Sequence, residues 1–205
     1  MNVGVGLQGA NRELDLLAGY GIHDFLLLSE GVIYGDLERL CRNPNSRIAL
    51  RFYHPHRMEI DAPHRTALAD YQWLLSHTTP EQRQHIIAVI PANELNLDSE
   101  HLTSPYPGYW KSYQAYATIN SWLSEWATAW RWASVGGWQT QLWWPALAPG
   151  HNPPGTVPES EYELLTGSMA DYDAICVHVY GPLSDEWTGS KRLEKIVAKL
   201  EEVLG

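Results

Sequence analysis

Apolar residues fall along this chain in two alternating patterns. Short runs weighted toward Val, Ile, Leu or aromatic residues occur at 3–8, 25–28, 48–53, 85–90, 139–144 and 174–180. Closed by Gly, Pro, Ser or Asn, such runs predict strands buried on both faces. Between them, apolar positions recur at helical spacing, which predicts helices near 11–20, 33–42, 62–77, 109–134 and 159–169, and one more at the C-terminal end. The first would bury Leu14, Leu16, Leu17 and Tyr20 and stop at Gly21; the third would bury Leu68, Tyr71, Leu74 and Leu75. The longest carries an aromatic stripe of Tyr109, Tyr113, Tyr116, Leu123, Trp126 and Trp130, with Trp110, Trp122 and Trp132 off it. Thr156 and Glu159 offer a capping box for the helix near 159–169. The last helix sets Leu193, Ile196, Val197, Leu200, Val203 and Leu204 on one face, opposite a Lys/Glu-rich one.

Six strand–helix units of about 30–35 residues each have the size of a βαβ step. Alternation of this kind, with doubly buried strands, predicts a parallel sheet wrapped by helices in one α/β domain spanning 1–205. The loop after the first strand lacks a G-x-G-x-x-G or P-loop pattern, so a nucleotide-binding open sheet has little support. A TIM-barrel-like arrangement is the better expectation. Eight units ordinarily need about 250 residues, so six units imply a barrel that is incomplete or completed by an oligomer.

Charge and composition narrow the partners. A formal charge of −10 disfavours nucleic acid and anionic membranes, and no apolar run approaches a membrane span. Ten Trp and eleven Tyr against two Phe suit stacking on sugar rings, although most such residues serve as core. Cys41 and Cys176 have no metal or redox spacing and read as small buried residues. His54, His56, Asp61 and His64 are loop-region residues rather than a ligand set, so neither a metal nor another cofactor is expected. The opening Met-Asn-Val-Gly-Val-Gly-Leu-Gln lacks the basic region and apolar core of a signal peptide. A cytoplasmic protein is the default expectation, with a secreted parent as the alternative.

The candidate chemistry sits after the fourth strand, in His85-Ile-Ile-Ala-Val-Ile-Pro-Ala-Asn-Glu-Leu-Asn96. Pro91 ends the ladder because it has no N–H, and a carboxyl group follows at the strand's C-terminal end, where α/β barrels place their chemistry. Asn93-Glu94 in that position, with His178-x-Tyr180 ending the sixth strand, resembles the clan of retaining (β/α)8 glycoside hydrolases that includes cellulases and mannanases. The resemblance implies hydrolysis of an oligo- or polysaccharide, with Glu94 as acid/base and Asn93 contacting the sugar. It implies cleft-lining roles for Arg51, His178 and Tyr180. His54, at the end of the third strand, is a further substrate-binding candidate. Trp143 and Trp144 are stacking candidates, of which only one can face the barrel interior because adjacent strand residues point oppositely. A Glu94 enclosed by Trp143, Trp144 and Tyr180 would have a raised pKa, as a general acid needs.

The clan's nucleophile ends a seventh strand, and this sequence has six. Retention needs two carboxyls about 5–5.5 Å apart. Three alternatives stand: a fragment of a longer enzyme, a second copy completing the wall, or Glu30 after the second strand as partner carboxylate. Glu30 and Glu94 on alternate strands suit an inverting pair, about 6.5–9.5 Å apart with water between. Arg51 could pair with either. Outside catalysis, the chain reads as a carbohydrate-binding scaffold or as one piece of a larger assembly.

Overall fold

A computed structural model describes residues 4–7, 21–52, 62–96, 113–147, 160–177 and 190–205, with 4–7, 160–161 and 190–192 as backbone alone. Strands β1 (Gly4–Leu7), β2 (Asp24–Leu28), β3 (Arg47–Arg51), β4 (Ile86–Ile90) and β5 (Gln141–Trp144) form one all-parallel sheet in sequence order. The two-residue β6 (Ala174–Ile175) extends it beside β5. Around the strands lie α1 (Ser29–Ile33), α2 (Asp36–Cys41), α3 (Pro63–His77), α4 (Pro80–His85), α5 (Tyr113–Ala133), α6 (Ser160–Glu163), α7 (Thr166–Met169) and α8 (Ser190–Leu204). The sheet is open: among the described residues, β1 pairs with β2 and β6 with β5, and nothing joins the two edges.

The two faces of the sheet are unlike. Phe25, Leu27, Ile48, Leu50, Val89, Leu142 and Trp144 point into one continuous core shared with α2, α3, α5, α7 and α8. Ala49, Ala88 and Ile90 point the other way, into a small cluster with the partly buried Leu26, Ile87, Trp143 and Cys176. Among the described residues, the helices that share the main core pack on the first of these faces, while Ala49, Ala88 and Ile90 on the second are also buried. Parity breaks inside β4: Ile48 pairs with Ile86 and Ala49 with Ala88, so Ile87 is an extra residue. That bulge puts Ile86 and Val89 on the helix face, although plain alternation would separate them.

The helix layer is anchored by aromatic rings. Trp126 stacks on Trp130 with centroids 5.1 Å apart, and Tyr71 meets Trp130 edge-on at 5.2 Å. Buried Tyr and Trp rings usually find partners for their polar handles, as Tyr71 and Trp126 do here. Tyr71 Oη donates to the Trp138 carbonyl (3.2 Å), and Trp126 Nε1 donates to Asp70 Oδ2 (3.1 Å). Asp70 is a carboxyl inside this core. Burial pushes its pKa well above the ordinary value, and the Trp126 N–H opposes that only in part.

Several expectations need correction. The helix foreseen at 33–42 is two short ones, α1 and α2, because Gly35 turns left-handed between them (φ 80°). The helix foreseen near 159–169 is likewise split into α6 and α7, with Leu165 N–H bonding back three residues to Tyr162. On α3 the buried face is Ala67, Asp70, Tyr71 and Leu74, while Leu68 and Leu75 face solvent. On α5, Tyr116, Leu123, Trp126 and Trp130 are buried as expected, but Tyr113 is 59% exposed and Trp122 is buried. The last helix buries Ile196 and leaves Leu193, Val197 and Leu204 exposed. An unforeseen helix, α4, precedes β4: Thr79 and Gln82 form its capping box, with Pro80 at its first turn. The helix expected at 11–20, Tyr109, Trp110 and the Thr156/Glu159 capping box lie outside the described residues. Among the described residues no helix is long and apolar enough to cross a membrane.

Asp70 makes stability depend on pH with a definite sign. Above the unfolded-state pKa near 3.8, the unfolded chain loses a proton that the folded chain keeps, so stability falls as pH rises until the raised folded pKa is passed. Asp70→Asn, which cannot ionise, should gain on wild type by about 1.4 kcal/mol per pH unit inside that window. Urea melts from pH 4 upward measure the gap. A gap that stays flat or moves the other way contradicts the assignment.

Candidate functional site at the C-terminal rim of the sheet

Because the strands are parallel, their C-terminal ends share one rim. Arg51 pairs in register with Leu28 and Ile90, and Phe52 N–H donates the next bond to the Ile90 carbonyl (3.0 Å). Pro91 follows with no N–H to continue the ladder. Pro91, Ala92, Leu95 and Asn96 are all buried, and only Asn93 and Glu94 between them reach partway to the surface. The loop is pinned at both ends and opens at the two residues singled out from sequence.

Each of these two is held from a different neighbour. Arg51 Nη1 donates to Asn93 Oδ1 across 2.7 Å, a charge-assisted bond reaching from β3. Glu94 N–H donates to the Ala146 carbonyl at 3.1 Å, tying the β4 loop to the buried segment after β5. Glu94 has φ +33°, the one non-glycine residue with positive φ among the described residues. A residue with a Cβ in that region costs on the order of 1–3 kcal/mol and persists only where its surroundings enforce it. The backbone under the candidate acid is thus strained and clamped.

The other candidates separate into three groups. Trp144 is buried on the helix side, where its Nε1 donates to Ser168 Oγ (3.0 Å) and its ring meets Tyr162. It has no surface to offer a ligand and is a core residue. Trp143 points to the opposite face of the sheet, is partly exposed, and donates its Nε1 to Gln141 Oε1 (2.9 Å), so it is the residue of the pair available for stacking. Glu30 lies in the first turn of α1, just past β2, and is partly exposed. With β3 between β2 and β4, their backbones are roughly 10 Å apart, two strand spacings. Two Glu side chains can reach across such a backbone gap, so the strand spacing alone admits either a nucleophile–acid pair or an inverting one. His54, His178 and Tyr180 lie outside the described residues. His64 is on α3, with Nδ1 3.7 Å from Glu125, and among the described residues no cluster of His, Cys, Asp or Glu could hold a metal ion.

One participant was missed in the sequence, and so was the charged neighbour of Cys176. The Ala146 carbonyl acts through the backbone, which no residue type advertises. Cys176, packed on the second face of the sheet, feels the Arg51 guanidinium. Burial pushes its thiol up to about 12 against that charge, so it stays a neutral S–H at ordinary pH and is no nucleophile. A cavity of about 340 Å³ lined by Gln114, Thr118, Trp122 and Glu125 follows α5 in the helix layer and shares no residue with this rim.

No protein-family model matches the chain, and no curated protein matches it in sequence.

Two substitutions test the geometry. Glu94→Asn should raise stability by about 1 kcal/mol, because Asn tolerates the left-handed backbone better; an unchanged or lowered urea midpoint would contradict the strain. Trp144→Ala should cost about 3–5 kcal/mol and Trp143→Ala much less. Equal losses would mean that the two faces have been misassigned.

Proposed function

We propose that this chain is a carbohydrate-active protein of the (β/α)-barrel type, a glycoside hydrolase in which Glu94 is the general acid. One observation carries the reading: a partly exposed Glu just past the C-terminal end of β4, on a left-handed backbone clamped by the segment after β5, beside an Asn held by β3. Strain of that kind is retained where a side chain must be aimed. Sequential order of parallel strands, with the described core helices packed on one face, supports a barrel-type winding, of which the open sheet is an incomplete turn. The substrate is an oligo- or polysaccharide. Glu94 protonates the leaving oxygen, Asn93 contacts the sugar beside the scissile bond, and Trp143 supplies a stacking face. Glu30, two strands away, suits activation of a water from the opposite side. A second copy of the chain, pairing at the open sheet edges, is the alternative source of a carboxylate.

A second reading, a sugar-binding scaffold without catalysis, needs only the held Asn93 amide and the partly exposed Trp143, and no second carboxylate. Reducing-end release from β-glucan, mannan, xylan and peptidoglycan by wild type and Glu94→Gln separates the two. The hydrolase reading predicts turnover by wild type and a loss of about 10²–10⁴-fold in the variant. Undiminished turnover in Glu94→Gln refutes the assignment of the acid. Glycan binding without turnover in both proteins favours the scaffold.

A further inference from the structure

The contact between Arg51 and Asn93 fixes more than a distance. A guanidinium carries five N–H donors and no acceptor, so the Asn93 atom facing Arg51 Nη1 at 2.7 Å must be the amide oxygen. An amide carries its oxygen and its NH2 on opposite sides of the terminal carbon. Holding Oδ1 toward β3 therefore turns Nδ2 away from it. Without that restraint the amide could present either end, and the two ends recognise opposite partners.

We infer that Arg51 is a positioning residue that locks the Asn93 amide with its NH2 outward, so that this point of the rim offers a hydrogen-bond donor and selects an acceptor oxygen on the ligand. The inference rests on the carbohydrate reading above for the identity of that oxygen, a sugar hydroxyl next to the bond that Glu94 attends. It does not rest on that reading for the orientation of the amide. Asn93 is partly exposed, between the buried Ala92 and the partly exposed Glu94, so this point of the rim is accessible to a ligand. The backbone of Glu94 is held separately, by the Ala146 carbonyl. Losing Arg51 should therefore free the Asn93 amide and leave the Glu94 backbone where it is.

The test uses the whole chain with Arg51→Met, Arg51→Lys and Asn93→Asp, and two readouts. The first needs no ligand: the side-chain NH2 signals of Asn93 in ¹H–¹⁵N NMR spectra, assigned by their loss in Asn93→Asp. They are expected as one dispersed pair in wild type and Arg51→Lys. In Arg51→Met they should collapse toward free-amide positions, with the Glu94 backbone signal unmoved. Asn93 signals identical in wild type and Arg51→Met overturn the inference. The second readout is kcat/KM on whichever glycan the wild type cleaves. Arg51→Met is expected to lose about ten- to a hundredfold, the worth of one hydrogen bond to a charged group, with partial rescue by Lys and an unshifted pH profile. Asn93→Asp keeps an oxygen for Arg51 but removes the donor, and should lose at least as much. Wild-type activity in Asn93→Asp overturns the selection of an acceptor, even if Arg51→Met does not fold. A wild type inactive on every glycan removes the carbohydrate reading while leaving the NMR result to decide the positioning role.

Discussion

Phe52 joins the end of β3 to the helix layer, and the rim depends on that junction. Its ring meets Trp73, Trp126 and Trp130 at centroid distances of 6.3, 6.4 and 5.7 Å. Successive strand residues point to opposite faces, so burying Phe52 among the tryptophans obliges Arg51 to face the other way. Arg51 then lies where it can reach Asn93. The aromatic core serves the site indirectly: it fixes which side of β3 carries the guanidinium.

Asp70 and Glu94 both stand against local preference, for different reasons. Asp70 is buried among aromatic rings with its pKa raised. A perturbed pKa is often taken as a mark of function, but Asp70 is only 7% exposed, and it accepts from Trp126 inside a helix–helix contact. Its role is structural. Glu94 departs in its backbone instead, and it reaches the surface between buried anchors. Local conflict together with accessibility, rather than titration alone, is what directs attention to the rim of β4.

The strands were legible because each is a short apolar run with a clear stop, and β2, β3, β4 and β5 all fall within the runs read from sequence or a residue away. Pro91 marked the end of β4 correctly because the absence of an N–H does not depend on tertiary context. Face assignments were less legible. Trp143 and Trp144 alternate as expected, but which of them points inward depends on which face the helices cover. The bulge at Ile87 offsets the parity of β4 from its neighbour in a way that Ile-Ile-Ala-Val-Ile does not disclose. On α5, Trp122 was placed off the stripe because the apolar arc of that helix is wider than one row of positions. The site was legible as residue types, Asn-Glu after a strand. Its clamps were not, since the Ala146 bond belongs to the backbone and the Arg51 bond spans 42 residues.

The measurement that bears most directly on the central claim is an NMR titration of the uniformly ¹⁵N-labelled chain with cellotetraose, mannotetraose and xylotetraose in turn. The account predicts that at least one sugar moves the signals of Arg51, Asn93, Glu94 and the indole of Trp143 together, leaving Trp126 and Trp144 unmoved. Shifts confined to the outer side of α5, around Gln114 and Glu125, or no shifts with any of the three, would contradict it.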